Sequence, residues 1–441
     1  MGRRTTRRDL LKGTAAAGMG YWMGTGPTKA FSDSPNEKLN IGVVGVGGKG
    51  ESNILGVRSQ NIIAACDVDE ERAKGFRIVS KAAKYKDFRK MLEKEKSLDA
   101  VVVSTPDHTH APAAVMAMRL GKHVYCEKPL AHSIYESRLM RKVAQEMKVA
   151  TQMGNQGHSG NTLREAVKLI QSGGLGKVTE FHAWTNRPSW KQGLERPTET
   201  VPVPKTLDWD LWLGTAPERP YNPAYCPFSW RGWWDFGTGA LGDMACHIAD
   251  LGFWGLDLKY PTSVVGTSSG VNAETAPNSS VIKFQFPSRG DQPPVIFTWY
   301  DGGKKPDPAL VGLNELPNTG SILVGDKGTM YVPDEYGQVY QVLPKDSKDP
   351  RPAPPPPPGR LGIVAIAVNH YKEWIDACKG GAPAQSNFDY ASLLTEVILL
   401  GNVALRAGKQ IEWDGEAMKA TNCPEAEAWI RPAFRPGWDI S

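Results

Sequence analysis

At 441 residues the chain is long enough for two or three domains, and its content of 40% hydrophobic and 22% charged residues is ordinary for a globular protein. The formal net charge is +5, but residues 1–30 hold six Lys or Arg residues and only one acidic residue. The rest of the chain therefore has equal numbers of basic and acidic residues, which excludes a nucleic-acid-binding surface built on net positive charge.

The basic N-terminal segment resembles a twin-arginine export signal. Residues 6–12 read Thr-Arg-Arg-Asp-Leu-Leu-Lys, a weakly apolar Gly/Ala-rich stretch follows over 13–26, and Ala30 is a small residue suited to a cleavage site. We expect residues 1–30 to be a signal peptide for the twin-arginine export machinery, and the protein to be periplasmic. The alternative is a disordered basic arm. No other segment has about 18 continuous apolar residues, so we expect no stable membrane anchor.

The six cysteines are scattered, with no CxxC pair and no zinc-type spacing. We interpret them as buried, small apolar side chains and expect no disulfide framework. They are Cys66, Cys126, Cys226, Cys246, Cys378 and Cys423.

Residues 36–156 alternate strand-like and helix-like segments. The strand candidates are the apolar runs 39–44, 62–66, 100–104 and 123–125. The helix candidates are 70–83, 88–96 and 111–120. Short continuous apolar runs are typical of parallel strands that are buried on both faces. The alternation predicts an α/β Rossmann domain, with a doubly wound parallel sheet.

We assign residues 157–441 to a second, α+β domain that binds the substrate and forms subunit contacts. The strand candidates are 178–185, 263–267, 279–286, 295–300 and 320–324. The helix candidates are 161–172, 366–378 and 390–407. These segments predict an open, mostly antiparallel sheet. The Pro-rich stretch 351–360 predicts a polyproline II surface loop.

A glycine-rich loop follows the first strand. Residues 45–50 read Gly-Val-Gly-Gly-Lys-Gly and fit GxGxxG, whose glycines allow a tight turn and close backbone approach to a pyrophosphate. Asp67 ends the second strand, where a carboxylate accepts hydrogen bonds from ribose hydroxyls and repels a 2′-phosphate. We therefore expect NAD rather than NADP. The cofactor-binding candidates in this region are Gly45, Val46, Gly47, Gly48, Lys49, Gly50 and Asp67.

Two later strand ends add polar groups to the same edge of the sheet. Residues 104–110 read Ser-Thr-Pro-Asp-His-Thr-His; because no third ligand is evident near His108 and His110, we predict no metal site and expect His110 to fix the loop beneath the cofactor. Lys128, within Cys-Glu-Lys-Pro-Leu, would put an ammonium group where a dinucleotide's reactive ring lies. The further cofactor-binding candidates are Ser104, Thr105, His110, Glu127, Lys128 and Asn155.

Asp243 and His247 form a third group of polar residues, in the segment 239–250. If this segment is helical, the two side chains are at positions i and i+4 and project from one face. Such a pair can hydrogen-bond the hydroxyls of a polyol, and a neutral imidazole can accept a hydroxyl proton. The alternative is an ordinary helix in which the aspartate caps and the histidine packs.

Together these features resemble the Gfo/Idh/MocA oxidoreductases, the family of glucose–fructose oxidoreductase and inositol dehydrogenase. The glycine loop, Ser-Thr-Pro with His110, Glu-Lys-Pro and the later Asp/His pair occur in the family's order and spacing, and the closing Gly437-Trp438 is similar to the tail of exported bacterial members. The resemblance implies that Lys128, Asp243 and His247 form the catalytic group, in a homodimer or homotetramer. One departure is a methionine after Asp243, where many members have glycine.

The region that precedes Asp243 is rich in tryptophan, which favours a carbohydrate substrate because aromatic faces stack on sugar rings. The alternative is that several of these rings pack the long loops. The tryptophans are Trp184, Trp190, Trp209, Trp212, Trp230, Trp233 and Trp234. The substrate-binding candidates are Gln156, His158, Trp184, Arg231, Trp234, Asp243 and His247.

The resulting hypothesis is an NAD-dependent oxidoreductase acting on a CH–OH group of a sugar or polyol. His247 takes the hydroxyl proton, Lys128 stabilises alkoxide charge, and Asp243 orients the substrate; whether Lys128 or His247 is the final proton acceptor stays open. Because little free NAD is available outside the cytoplasm, we expect a tightly bound cofactor that is recycled in place. Two alternatives are an NAD-dependent glycosidase that works by transient oxidation and elimination, and a non-catalytic sugar-binding protein.

Overall fold

The first sheet consists of six parallel strands in the order β3-β2-β1-β4-β5-β6. The computed structural model of the chain describes residues 38–345 and 359–441. The strands are β1 (Asn40–Val44), β2 (Asn61–Cys66), β3 (Ala83–Tyr85), β4 (Ala100–Val103), β5 (His123–Cys126) and β6 (Thr151–Met153). This is the strand order of a doubly wound dinucleotide-binding sheet, and it confirms the predicted Rossmann fold.

The central strands of this sheet are buried on both faces, which explains their continuous apolar sequence. On β1, Ile41 and Val43 pack into one core cluster and Val44 into another, on the opposite face. On β4, Val102 joins the first of these clusters and Val103 the second. Because both faces of these strands are buried, their sequences are continuously apolar and do not alternate between apolar and polar residues.

The second sheet has nine strands in the order β13-β12-β11-β7-β10-β9-β8-β14-β15. Only the β7–β10 pair is parallel among these described strands, which confirms a mostly antiparallel sheet. The strands are β7 (Val178–Thr185), β8 (Ser263–Ser268), β9 (Ser280–Phe286), β10 (Val295–Tyr300), β11 (Thr319–Gly325), β12 (Gly328–Val332), β13 (Gln341–Pro344), β14 (Ile411–Asp414) and β15 (Lys419–Ala420).

The helices surround these sheets. The first six are α1 (Lys49–Gly56), α2 (Gly75–Ile78), α3 (Phe88–Lys94), α4 (His110–Arg119), α5 (Ile134–Met147) and α6 (Asn161–Gln171). The others are α7 (Trp209–Leu213), α8 (Gly239–Ile248), α9 (Asp250–Gly255), α10 (Gly359–Cys378), α11 (Phe388–Ala407) and α12 (Glu427–Ile430).

Late helices pack against early elements. Tyr371 and Trp374 of α10 lie in the core cluster of Ile41 and Val43, and α11 packs on α5, α8 and β8. Residues 38–441 accordingly form one compact unit. The proposed boundary near residue 156 falls between the two sheets, and the domain limits stay a prediction.

Residues 189–238, hereafter the aromatic segment, connect β7 to α8 and build a core of their own. Trp212, Trp233, Phe236 and Tyr225 are buried there, in a cluster with Val68 from the loop after β2. Several tryptophans of this segment therefore pack against each other and against the Rossmann domain.

The helix predicted over 70–83 is wrong: only the single turn of α2 and the short strand β3 occur there. Tertiary contacts oppose a longer helix. The Asp69 carboxylate accepts the Glu71 N–H at 3.1 Å, the Glu70 N–H donates to the Thr206 carbonyl at 3.1 Å, and the Gly75 N–H donates to the Val46 carbonyl at 2.9 Å. In a continuous helix the Gly75 N–H would bond the Glu71 carbonyl, so its bond to Val46 opposes the helix. The N–H groups of Glu70 and Glu71 would lie in the first helical turn, where they have no internal acceptor.

The predicted signal peptide lies outside the described residues, as does most of the Pro-rich loop, whose last two residues begin α10. Among the described residues, one helix, α11, is long and apolar enough to cross a membrane, and most of it is buried in the core. All six cysteines are buried and unpaired, which confirms the interpretation from the sequence.

Candidate functional site

The glycine loop turns tightly over the carboxyl end of β1. Gly45 has a φ of +81°, which favours glycine, and a Cβ there would lie 2.7 Å from the Ser104 carbonyl oxygen. A Cβ on Gly50 would overlap the Gly45 carbonyl oxygen. Side chains at these two positions would collide with the backbone of Ser104 and of the loop itself. Glycine therefore allows this tight turn, which leaves the loop backbone free to approach a pyrophosphate at the start of α1.

Asp67 faces the same loop from the end of β2. Its carboxylate accepts the Val46 N–H at 2.9 Å and the Asp69 N–H at 3.0 Å. Burial raises the pKa of Asp67, while these backbone bonds oppose the rise. Each carboxylate oxygen keeps a lone pair, so the group can still accept a ribose hydroxyl.

The loop after β4 supplies the next polar groups. The Asn53 amide donates to Ser104 Oγ at 2.7 Å, and Thr105 Oγ1 is buried without a hydrogen-bond partner among the described residues. The His110 ring nitrogens lie 2.9 Å from the Thr105 carbonyl and 2.8 Å from the Pro129 carbonyl. His110 thus bridges the loops after β4 and β5. The unpartnered Thr105 hydroxyl is a second feature that suits a ligand in this crevice.

Lys128 and Asp243 are in direct contact although 115 residues separate them. Lys128 follows β5, and its Nζ donates to the Asp243 carbonyl at 2.6 Å and to Asp243 Oδ1 at 2.7 Å. Both side chains are almost buried, with exposed fractions of 13% and 12%. An ammonium has three donors, so one N–H of Lys128 is left for a substrate oxygen.

Arg231 is a second cation on the same carboxylate. Its Nε lies 3.1 Å from Asp243 Oδ1, and its NH1 lies 3.0 Å from Asp107 Oδ1. Thr238 Oγ1 donates to the other oxygen of Asp107 at 2.7 Å. Burial alone would raise the pKa of Asp243, but Lys128 and Arg231 hold it below its usual 3.8. Arg231 thus positions Asp243 and Asp107 through Nε and NH1, and its predicted contact with the substrate stays a prediction.

His247 lies one helical turn after Asp243 on α8, as the spacing predicts. The ring is buried, and burial together with the charge of Lys128 lowers its pKa well below 6.5, so the imidazole is neutral near pH 7. Its Nδ1 is buried and has no hydrogen-bond partner among the described residues. An unpartnered ring nitrogen beside a fixed ammonium is suited to bind a hydroxyl group.

The loop after β12 brings two residues that sequence reasoning missed. The Tyr336 ring lies 4.9 Å from the His247 ring, centroid to centroid. Burial raises the pKa of Glu335, on which Arg187, Asp243 and Lys128 also act electrostatically. Asp334 fixes the loop by accepting the Tyr336 N–H at 2.8 Å. No motif marks this loop in the sequence, and its position depends on the pairing of β12 in the second sheet.

Glu127 and Gln156 lie behind Lys128. The Glu127 carboxylate is buried, accepts the Asn53 amide at 3.0 Å and the Gln156 amide at 3.3 Å, and lies 3.7 Å from Lys49 Nζ. The pairing with Lys49 joins the glycine loop to the Glu-Lys-Pro turn. The structure thus brings the cofactor candidates after β1, β4 and β5 to one edge of the sheet.

Asn155 and His158 are engaged in an internal network instead. The Asn155 amide donates to Asp250 at 3.2 Å and accepts the Ser386 hydroxyl at 2.5 Å, while His158 Nδ1 lies 3.0 Å from Asp250. The His158 ring stacks on Trp254 at 4.0 Å. Buried neighbours hold both ends of the Asn155 amide, which argues against its assignment to the cofactor. His158 Nε2 is buried and has no hydrogen-bond partner among the described residues, so the assignment of His158 to the substrate stays a prediction.

Neither predicted tryptophan lies with the Lys128 group. On β7, Phe181 and Ala183 face the helices, whereas Trp184 points to the opposite face of the sheet and donates to the Pro317 carbonyl at 2.9 Å. The Trp234 indole donates to the Asn272 carbonyl at 3.2 Å and lies under the Arg406 guanidinium. Both substrate assignments are corrected, since strand alternation and loop packing direct these rings elsewhere.

Two sequence models of one family match the chain. The first, described as oxidoreductase family, NAD-binding Rossmann fold, matches residues 39–155. The second, the family's C-terminal alpha/beta domain, matches residues 159–282. Together they span more than half of the chain.

Among curated proteins, the chain is 25% identical to levoglucosan dehydrogenase of Pseudarthrobacter phenanthrenivorans over 252 residues, 54% of each chain. It is 37% identical to a glycosyl hydrolase family 109 protein of Solibacter usitatus over 153 residues, 30% of this chain and 35% of that protein. It is 29% identical to inositol 2-dehydrogenase of Rubrobacter xylanophilus over 164 residues, 36% of this chain and 47% of that protein. The matches thus span about half or less of these relatives.

Among solved structures, levoglucosan dehydrogenase in complex with NADH and levoglucosan has a TM-score of 0.62 at 17% identity, covering 85% of this chain and 99% of that one. An inositol dehydrogenase homolog from Azotobacter vinelandii, complexed with NADH and myo-inositol, has a TM-score of 0.59 at 16% identity, covering 86% and 98%. These likenesses show a shared fold. With both family models matched in order, the chain belongs to the Gfo/Idh/MocA family of oxidoreductases and carries that family's NAD-binding Rossmann fold.

Proposed function

We propose that the protein is an NAD-dependent oxidoreductase that acts on a CH–OH group of a sugar or polyol. The observation that carries the proposal is the meeting of the Lys128 ammonium, the Asp243 carboxylate and the unpartnered Nδ1 of His247 at the dinucleotide edge of the sheet. The relatives named levoglucosan dehydrogenase and inositol 2-dehydrogenase support a carbohydrate or polyol as the substrate class.

In this proposal the side chains manage the hydroxyl group while bound NAD supplies the hydride acceptor. His247 is neutral and accepts the hydroxyl proton. The free N–H of Lys128 stabilises the negative charge that develops on the substrate oxygen, where water is largely excluded. Asp243 orients Lys128 and remains ionised because two cations face it. The glycine loop and Asp67 hold the cofactor, and the Asp67 carboxylate favours NAD over NADP.

We further propose that the chain is exported by the twin-arginine pathway and works in the periplasm as a homodimer or homotetramer. The sequence of residues 6–12 supports export. Cofactor exchange would be slow there, so the bound NAD is recycled within each catalytic cycle. Replacing Arg7 and Arg8 together by Lys should leave the protein in the cytoplasmic fraction of cells that export the wild type; light scattering of the purified protein measures its oligomeric state.

A second candidate function is an NAD-dependent glycosidase. Two neighbouring ionisable residues favour it: Tyr336, whose ring lies beside His247, and Glu335, which interacts electrostatically with Lys128 and Asp243. Oxidation at one carbon makes the neighbouring C–H acidic; a base removes that proton, and the glycosidic oxygen leaves as an alcohol with a proton from an acid. Water then adds to the double bond, and the hydride returns to the carbonyl. Simple dehydrogenation needs no such second acid–base pair. The relative named glycosyl hydrolase family 109 protein supports this alternative.

Purification without added nucleotide, followed by denaturation and assay of the supernatant for NAD(H), tests the bound cofactor. We expect an amount stoichiometric with the chain; an empty protein that binds NAD only weakly contradicts tight binding. Incubation with polyols, free sugars and aryl glycosides then separates the alternatives. Reduction of the cofactor supports the dehydrogenase, aglycone release without net NADH supports the glycosidase, and binding without either reaction supports a sugar-binding protein.

A further inference from the structure

We infer that the aromatic segment and the C-terminal tail, residues 431–441, together form a clasp that closes the ribose end of the dinucleotide crevice and sets the rate at which NAD leaves. The inference deepens the proposed tight binding of NAD and rests on it. It assigns the tryptophan-rich region to retention of the cofactor instead of recognition of a sugar.

The first attachment of the aromatic segment is immediately beyond Asp67. The Asp208 N–H donates to the Val68 carbonyl at 2.9 Å, and the Glu70 N–H donates to the Thr206 carbonyl at 3.1 Å. These bonds flank an antiparallel bridge between Asp69 and Leu207. The segment is thus fixed to the loop whose carboxylate is expected to bind the ribose.

The second attachment is at the end of β4. Thr215 Oγ1 donates to the His108 carbonyl at 2.8 Å, and the His108 ring nitrogens lie 2.9 Å from the Trp212 carbonyl and 3.1 Å from the Phe236 carbonyl. The aromatic segment therefore contacts the loops that follow β2 and β4, at the carboxyl edge of the first sheet. In doubly wound folds the dinucleotide lies along that edge, so a ligand there is covered by the segment.

The C-terminal tail holds the aromatic segment from outside. Arg435 is buried, and its Nε donates to the Gly214 carbonyl at 2.9 Å while its NH2 donates to the Asp210 carbonyl at 2.7 Å. Three residues later, the Trp438 ring lies under the Arg89 guanidinium of α3 at 4.1 Å. The tail thus ties the segment to the Rossmann domain, and release of NAD requires part of this packing to open.

The test measures the dissociation rate of NAD from the full-length holoprotein, by trapping the released nucleotide with an excess of a coupling enzyme. Arg435→Ala should raise this rate by about tenfold or more, because it removes the two bonds above and a third, from NH1 to Asp210 Oδ1 at 2.5 Å. Arg431→Ala is the matched control: this arginine is also in the tail but contacts Tyr135 and Glu427, and its release rate should equal that of the wild type.

A second pair of variants tests the inner attachment and does not depend on Arg435. Asp208→Pro removes both the backbone donor to Val68 and the side-chain cap on the Leu211 N–H, whereas Asp208→Ala removes the cap alone. We expect faster release with proline than with alanine. Thermal melting identifies a variant that does not fold. If Arg435→Ala or Asp208→Pro does not fold, the pair of variants that contains the other one decides the result.

Limited proteolysis within residues 189–238 reports whether the segment has loosened. A loosened segment with an unchanged rate of NAD release overturns the inference, and so does a wild-type rate in both Arg435→Ala and Asp208→Pro. Failure of the proposed function gives a different result. If the wild type is purified without NAD, wild type and variants are loaded with NAD. The ratio of the variant's NAD release rate to that of the wild type then still tests the clasp.

Discussion

At the scale of single residues, Arg231 helps Lys128 to keep Asp243 ionised. Its Nε and the Lys128 Nζ both face Asp243 Oδ1, at 3.1 and 2.7 Å. Arg231→Gln removes one of the two cations that oppose the effect of burial, so the pKa of Asp243 should rise. The acidic limb of the kcat/KM profile should move up by about one pH unit, and Arg231→Lys should restore part of the shift.

Arg196 provides the control for this prediction. It is also an ion-paired arginine of the aromatic segment, but its partner is Glu274, at 2.7 Å, and it is largely exposed. Arg196→Gln should leave the pH profile unchanged. An Arg231→Gln profile that overlays the wild type would show that Arg231 does not act through Asp243.

Substitution of Glu335 distinguishes the two candidate functions, the dehydrogenase and the glycosidase. In a glycosidase, Glu335→Gln should lower aglycone release by about a hundredfold or more, because it removes an acid–base group, while reduction of the bound cofactor continues. In a dehydrogenase, the same change should leave turnover close to the wild-type value. Glu315→Gln, on an exposed side chain, is the control. If Glu335→Gln lowers aglycone release and cofactor reduction equally, Glu335 only maintains the structure of the pocket.

At the scale of elements, the sequence predicts what depends on local pattern. Uninterrupted apolar strands such as β1 and β4 are buried on both faces, so their sequences alone indicate a parallel sheet. The spacing of Asp243 and His247 likewise predicts one helix face. The prediction of a helix over 70–83 is wrong, because the Gly75 N–H, which a helix would bond internally, donates to the Val46 carbonyl instead.

The contacts in the site that cannot be predicted from the sequence depend on the topology of the fold. The contact between Lys128 and Asp243 joins elements 115 residues apart and was accessible only through family resemblance. Glu335 and Tyr336 reach the site through the pairing of β11 and β12. Composition identifies the tryptophan-rich region, but composition cannot tell a ring stacked on a sugar from a ring packed in a core.

At the scale of the whole molecule, buried histidines make stability depend on pH. Burial lowers the pKa of His108 from 6.5 to about 4 and that of His370 to about 3. Above pH 6.5 both are neutral in the folded and unfolded chains and have no effect. As the pH falls from 6.5 towards these values, only the unfolded chain takes up the protons, so the folded state loses stability.

The loss should reach about 2 kcal/mol for each of these histidines at pH 5. Denaturant unfolding at pH 7 and pH 5 measures it. Burial raises the pKa of Asp301 to about 6, so protonation of this carboxyl in the folded chain offsets part of the loss over the same range. His370→Gln removes one of the titrating groups and should reduce the pH dependence, although the variant is expected to be less stable at pH 7. A free energy of unfolding that is the same at both pH values would contradict the neutral, buried state of these rings.

We propose that Lys128 promotes hydride transfer to a bound nicotinamide, and a single-turnover measurement checks this role. Holoprotein is mixed with a reactive sugar or polyol, and the near-ultraviolet absorbance of reduced nicotinamide is followed with time. Lys128→Met should retain the cofactor yet slow the reduction by about a hundredfold to a thousandfold, as for loss of a donor to a developing oxyanion. Lys142→Met, on an exposed lysine, should match the wild type. Reduction at the wild-type rate in Lys128→Met would contradict the account.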